Sequence, residues 1–190
     1  WMAHPAASAA TARRRTYTVS SDRSITQIRE LVIRPTLKGI GLWSEAAENL
    51  LVGVGLLESG FKLLKQINGP ACGYWQIEPA TADDLVFRYL NRQSGAVDSD
   101  SLIGRLREYL GFSPWSLSPE TLHRKLIGDM ELGCALARIK FWMDKEPLPE
   151  ANDINGLAET WLRVYNAGGK GTISRFMFEY ALHHGQPMQS

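Results

Sequence analysis

Apolar residues in this chain recur three and four positions apart, in segments bounded by helix caps, and almost never alternate. That pattern confines the chain to a mainly helical architecture. Ser24 with Gln27 forms a capping box ahead of Ile25, Ile28, Leu31 and Val32, and Pro35 is expected to stop or kink that helix. Ser44 caps a second helix carrying Leu50, Val54 and Leu57, in which Gly53 and Gly55 imply close packing against another backbone. Lys65 to Pro79, with Gly69-Pro70 and Gly73, is an irregular loop or short hairpin. Helices follow over Thr81 to Leu90 and Ser101 to Leu110, the latter ended by Gly111. Another starts at Ser118-Pro119-Glu120, and Asp129 opens one bearing Leu132, Leu136, Ile139 and Met143. Asp153 or Asn155 caps a helix with Leu157, Trp161 and Val164, and Thr172 starts the last, with Ile173, Phe176, Met177 and Tyr180 inward. Trp161, Trp142 and Phe176 are expected in the core.

A length of 190 residues suits one domain with a short arm. Residues 1 to 22, rich in Ala, Ser and Thr, are expected to form that arm, residues 23–184 the domain and 185–190 a frayed tail. Trp1 ahead of Met2 is taken as a processing remnant. Arg13-Arg14-Arg15 follow the small residues instead of preceding an apolar core, the reverse of a signal peptide, so synthesis in the cytoplasm is expected. The arm could touch phosphate or an acidic partner. Twenty-one basic against twenty acidic residues leave a charge of +1, which excludes the broad basic field of a nucleic-acid binder. The longest apolar run, Leu50 to Leu57, is too short for a membrane span. Cys72 and Cys134 match no zinc spacing and are expected reduced; the four histidines have no ligand partners at metal spacing, so no metal or cofactor is expected.

One acid is oddly placed. Glu58 ends an apolar run, in Leu56-Leu57-Glu58-Ser59-Gly60-Phe61. The negative end of a helix dipole and apolar neighbours both disfavour its ionisation. A raised pKa is what a general acid near neutral pH requires. The plainer alternative is a surface glutamate at a frayed helix end.

Glu58-Ser59-Gly60-Phe61, followed by Gly69-Pro70-Ala71-Cys72-Gly73-Tyr74-Trp75-Gln76-Ile77-Glu78-Pro79-Ala80-Thr81-Ala82, resembles the goose-type lysozyme-like lytic transglycosylases. Their pattern runs E-S-x-F, then G-A-x-G-L-M-Q-L-M-P-x-T-A. The eighteen-position step from Glu58 to Gln76 matches the family's spacing. Asp129 to Leu136 is similar to its N-I-x-x-G-x-x-Y-L helix, and Val164-Tyr165-Asn166-Ala167-Gly168 to its A-Y-N-A-G motif. Three ordered motifs over about Ser44 to Gly171 are more specific than any one of them. The chain departs from the family in a longer stretch over 88–128, in Tyr74-Trp75 for Leu-Met, in Glu78 for the second methionine and in Pro70 for a glycine.

The resemblance implies a single lysozyme-like helical domain with a short irregular loop at its cleft, cutting the β-1,4 bond between N-acetylmuramic acid and N-acetylglucosamine in peptidoglycan. Glu58 would protonate the bridging oxygen, the sugar's own acetamido group would attack, and Glu58 would then take the proton of the muramoyl 6-hydroxyl, leaving a 1,6-anhydro end. Tyr165 is carried over as a phenol bonding Glu58 and the sugar, against the alternative of a core tyrosine. Ser59 and Gln76 are carried over as substrate-positioning groups, against a helix-end and a loop residue. Asn166 borders the cleft or only ends its helix, and Gly73 serves a backbone turn. Tyr74 and Trp75 could stack on sugar rings. Glu78 is either the second carboxylate of a lysozyme-type hydrolase or an acid placed for the dipole of the next helix, as are Asp83 and Asp84. The partner implied is a glycan strand of the bacterial wall or periplasm. A protein without a leader fits carriage by a phage virion or a secretion apparatus, docked by the arm. A non-catalytic helical module of a phage particle is the rival class.

Overall fold

Helix α3 decides how the rest of the chain is arranged, because its sides are apolar nearly all round. A computed structural model of the protein describes residues 23–93 and 98–184; the expected arm (1–22) and tail (185–190) lie outside the described residues. α3 spans Glu45–Ser59, and twelve of its fifteen residues are buried. A helix of that kind must be wrapped by others. Ser44 starts it, its Oγ accepting the Ala47 amide at 3.0 Å, and Gly60, in the left-handed region at φ 59°, ends it.

The wrapping elements follow in chain order. α1 (Arg23–Ile28) leads through a wide π turn (Arg29–Ile33) into α2 (Arg34–Gly39). α4 (Pro79–Asp83) continues through a second π segment (Asp84–Leu90) into α5 (Asn91–Gln93). α6 (Leu102–Leu110), α7 (Pro119–Gly128), α8 (Met130–Trp142), α9 (Ile154–Val164) and α10 (Ile173–His184) complete the domain. α10, α9, α8 and the first π turn pack directly on α3. The buried side chains form one core, so the chain is a mainly helical domain as expected. Ser101, Ser118, Asp129 and Asp153 each cap the helix that follows through a side-chain oxygen. Thr172 accepts the Arg175 amide at the start of α10.

The structure corrects several details. Pro35 does not stop the helical run, which continues to Gly39. It lacks an N–H for the carbonyl four residues back, and the π turn just before it absorbs the mismatch, with the Arg34 amide reaching the Arg29 carbonyl five residues back. The wide turn also rotates Leu31 off the expected face, leaving it 69% exposed. Helix α1 already includes Arg23, so Ser24 stands inside the first turn and not ahead of it. Gly53 and Gly55 admit aromatic rings, not backbone: a Cβ at either would lie 2.2 Å from the ring of Phe176 or Phe61. Trp142 is exposed at the end of α8, beneath the Arg138 guanidinium, and Met143 is exposed just beyond it. The second π segment falls in the expected Thr81 helix, where Leu85 and Leu90, five apart, are both buried.

Residues 60–78 form the irregular loop. Paired backbone bonds between Cys72 and Ile77, both 2.9 Å, close a tight turn, and Lys65 bridges Cys72 on its other side. Phe61, Asn68 and Gln76 adopt positive φ here, a backbone state that residues with a Cβ enter only when the surroundings impose it.

Candidate active site

Glu58 lies in the last turn of α3 and faces a cleft of roughly 440 Å³. The loop supplies Gln66, Gln76 and Glu78 to that cleft, α8 supplies Lys140, and the chain after α9 supplies Tyr165, Asn166 and Lys170. Two of the three sequence motifs, separated by a hundred residues, thus meet at one opening.

The carboxyl of Glu58 is half-buried. It accepts a 3.2 Å hydrogen bond from the indole Nε1 of Trp161, and that ring is fixed on α9 between Phe176 and Gly171. Burial pushes the Glu58 carboxyl above its ordinary range; the Trp161 bond and the charges of Lys140 and Arg175 act the other way without cancelling it. Lys140 is the stronger of these two cationic influences. Burial pulls the Lys140 ammonium down, whereas Glu58 and Glu78 hold it up, and its Nζ sits 4.3 Å from the Tyr165 ring centre. A carboxyl whose pKa is raised beside a polar opening is suited to give up a proton to a bound oxygen, and a nearby cation eases the negative charge left behind.

Tyr165 does not bond Glu58. Its hydroxyl donates to the Trp75 carbonyl at 2.6 Å, and its ring stacks on Phe141 at 5.4 Å. It still lines the cleft, and burial together with the Glu58 charge raises its pKa well above the ordinary phenol value. The bond expected between phenol and acid is taken by Trp161 of α9, four residues before Tyr165.

Ser59 and Trp75, expected at the substrate, hold the loop instead, and Gly73 belongs to its backbone turn. Ser59 is buried, and its Oγ donates to the Tyr74 carbonyl at 2.7 Å while accepting the Phe61 amide. Trp75 is 1% exposed and bonds the Leu51 carbonyl through its indole nitrogen, so it has no face to offer a sugar. Gly73, at φ 73°, lies against the α7 backbone, where a Cβ would come within 2.5 Å of the Leu126 carbonyl oxygen. Tyr74 meets Phe61 edge-on at 5.6 Å, half-buried and outside the cleft lining. Gln76 belongs to both groups: its Nε2 donates to the Gly73 carbonyl at 2.7 Å, and its residue borders the cleft. No family model, curated protein or solved structure matches the chain. What the site can do therefore rests on its own chemistry.

Glu78 precedes α4 but makes no capping bond; it is exposed on the cleft. Asp83 instead pairs with His123 at 2.8 Å, and Asp84 with Arg88 at 3.0 Å. Cys72 and Cys134 are unpaired and buried. Among the described residues no helix is long and apolar enough to cross a membrane, and no three His, Cys, Asp or Glu side chains gather as metal ligands. Lys140 and Trp161 were not legible as site residues. The available signals were the lone charge of Lys140 in Ile139-Lys140-Phe141-Trp142, and the four-residue step from Trp161 to Tyr165.

Proposed function

We propose that the protein cuts glycan strands of the bacterial wall as a lytic transglycosylase of the goose-type lysozyme-like kind. The observation that carries the reading is Glu58: a half-buried carboxyl with a raised pKa, bonded by Trp161 and opening on the same cleft as Tyr165, Gln76 and Asn166. In this reading Glu58 protonates the oxygen between N-acetylmuramic acid and N-acetylglucosamine. The acetamido group of the muramoyl sugar attacks its own anomeric carbon as the bond breaks. Glu58, now a carboxylate beside Lys140, removes the proton of the 6-hydroxyl, which closes on the same carbon and releases the acetamido oxygen. No water enters and the acid is regenerated.

Glu78 on the same cleft gives the hydrolytic version a specific basis, since a second carboxylate there could hold the attacking water. Mass spectrometry of purified sacculi digested by the whole chain decides between them. Anhydro-muramic ends are expected. Reducing ends alone assign the hydrolase, and no new ends in either form reject cleavage altogether.

A further inference from the structure

The loop after α3 presents an apolar surface that the fold leaves uncovered. Phe61 is buried at its root, but Leu63, Leu64 and Ile67 are 40%, 43% and 73% exposed. Lys62 and Lys65 are exposed in the same stretch, and neither forms an ion pair among the described residues. Positions 59–77 hold no Asp or Glu, and the acids on either side, Glu58 and Glu78, open on the cleft. The backbone beneath is tied down: the Gly73 amide donates to the Leu64 carbonyl at 2.8 Å, and the Gln66 amide to the Ala71 carbonyl at 2.9 Å. Large aliphatic groups held out to water side by side mark a contact surface, and one already ordered loses little freedom on binding.

The charge beside the patch decides what covers it. Aliphatic side chains interleaved with unpaired lysines, and with no acid among them, match a surface that is apolar within and negative at its rim. We infer that this loop rests on an anionic lipid bilayer, with Leu63, Leu64 and Ile67 entering the boundary between headgroups and acyl chains and Lys62 and Lys65 meeting lipid phosphates. The lysine stems allow this, since a long aliphatic chain can lie in the apolar layer with its ammonium at the phosphates. The contact is peripheral and reversible and needs no spanning helix. It goes beyond glycan cleavage and holds without it. Gln66 of the same loop borders the cleft, so a loop on the bilayer keeps that opening beside the membrane.

The test sediments the full chain with vesicles of phosphatidylglycerol and phosphatidylethanolamine, and with vesicles of phosphatidylcholine alone. Binding at least about tenfold tighter to the anionic vesicles is expected, since each lysine near such a surface contributes roughly fivefold. Leu63→Ser, Leu64→Ser and Ile67→Ser combined should weaken it at least about tenfold. Their circular dichroism spectrum should not change, because all three residues are exposed. Lys62→Glu with Lys65→Glu should remove most of the preference for anionic vesicles. Arg13→Ser, Arg14→Ser and Arg15→Ser combined should keep most of it. A polarity-sensitive dye attached through Ile67→Cys, with Cys72 and Cys134 buried, should shift its emission to the blue on anionic vesicles. Soluble glycerol phosphate, which has the headgroup charge without the acyl layer, should cause no such shift. Equal binding to both vesicle types, serine variants that bind like the wild type, a dye that stays in water, or a preference lost with the three arginines alone would each overturn the assignment. Failure of the wild type to sediment with either vesicle also rejects the bilayer and leaves a protein partner as the cover of the patch.

Discussion

Besides the exposed Glu45 at its start, helix α3 carries two glutamates ten residues apart, Glu48 and Glu58, and the fold drives them in opposite directions. Glu48 is 2% exposed. Burial alone would raise its pKa, but Arg34 bonds both its oxygens at 2.7 and 2.9 Å, Trp43 donates at 2.9 Å and Arg29 at 3.0 Å, which together hold it below the ordinary value. Glu58 is more exposed, yet among the described residues it has one neutral donor and no ion pair, so desolvation prevails. Position on the helix favours the same split, since Glu48 lies near the positive end and Glu58 near the negative end. Ionisation is decided by how many donors accompany a carboxyl into the protein, not by how deeply it goes. The first arrangement ties α3 to the segment from Arg29 to Trp43. The second leaves a proton available at a cleft.

Exchange of each glutamate breaks the comparison most directly. Glu58→Gln is expected to lower the rate of release of new glycan ends from sacculi by at least about a hundredfold, the lower part of the range for a lost general acid. Its fold should survive, with an unchanged circular dichroism spectrum. Glu48→Ala should do the reverse kind of damage, leaving Arg29 and Arg34 without their shared anion. The expected cost is about 3 kcal/mol in urea unfolding, as for other broken buried ion pairs. A variant at Glu48 that kept full stability, or one at Glu58 that kept cleavage, would show that the two carboxyls do not divide the work in this way.

The pH dependence of stability sharpens the contrast with opposite signs. Glu48 has a folded pKa below its ordinary 4.5. Its contribution is therefore present above that value and is lost as pH falls through the lowered one. Glu58 has a folded pKa above 4.5, so the folded state binds the extra proton. Its effect is a loss of stability as pH rises from 4.5 through the raised value, after which the loss is constant. Glu58→Gln should therefore abolish a downward slope in that window and leave the protein slightly more stable at neutral pH. Urea midpoints measured across the acid range for the wild type and each variant check both signs.

The same contrast shows what the sequence could and could not reveal. Helices, caps and the odd position of Glu58 were legible because they depend on local spacing: Ser44, Asp129 and Asp153 cap as their neighbours require. The charge network of Glu48 was not, because Arg29 and Arg34 reach it from a separate helical segment. The roles of Ser59, Trp75 and Tyr165 were misplaced for a related reason. Each has a polar atom, and only the folded loop shows that this atom is spent on a backbone carbonyl. The motif from Glu58 to Gln76 is thus largely a loop-anchoring pattern around a single exposed function. Gly73→Ala probes that anchoring, because the added Cβ meets the Leu126 carbonyl at 2.5 Å in a left-handed backbone. A loss of about 2 kcal/mol in urea unfolding is expected, accompanied by reduced cleavage as the Gln76 and Glu78 side of the cleft shifts.

The mildest change addresses the one hydrogen bond that restrains Glu58. Trp161→Phe keeps an aromatic ring against Phe176 and Gly171 but removes the indole N–H. That bond favours the carboxylate, so its loss raises the Glu58 pKa further. Cleavage that needs protonated Glu58 fades as pH climbs through this pKa, and the alkaline limb of the pH–rate profile should move upward by about one unit, equivalent to ~1.4 kcal/mol. The later step, in which Glu58 acts as base, should weaken correspondingly, because a carboxylate without its donor is less stable and only the charges of Lys140 and Arg175 remain to offset it. A profile that stays put, with only the overall rate reduced, would mean that Trp161 merely fills space and that burial by itself sets the acid.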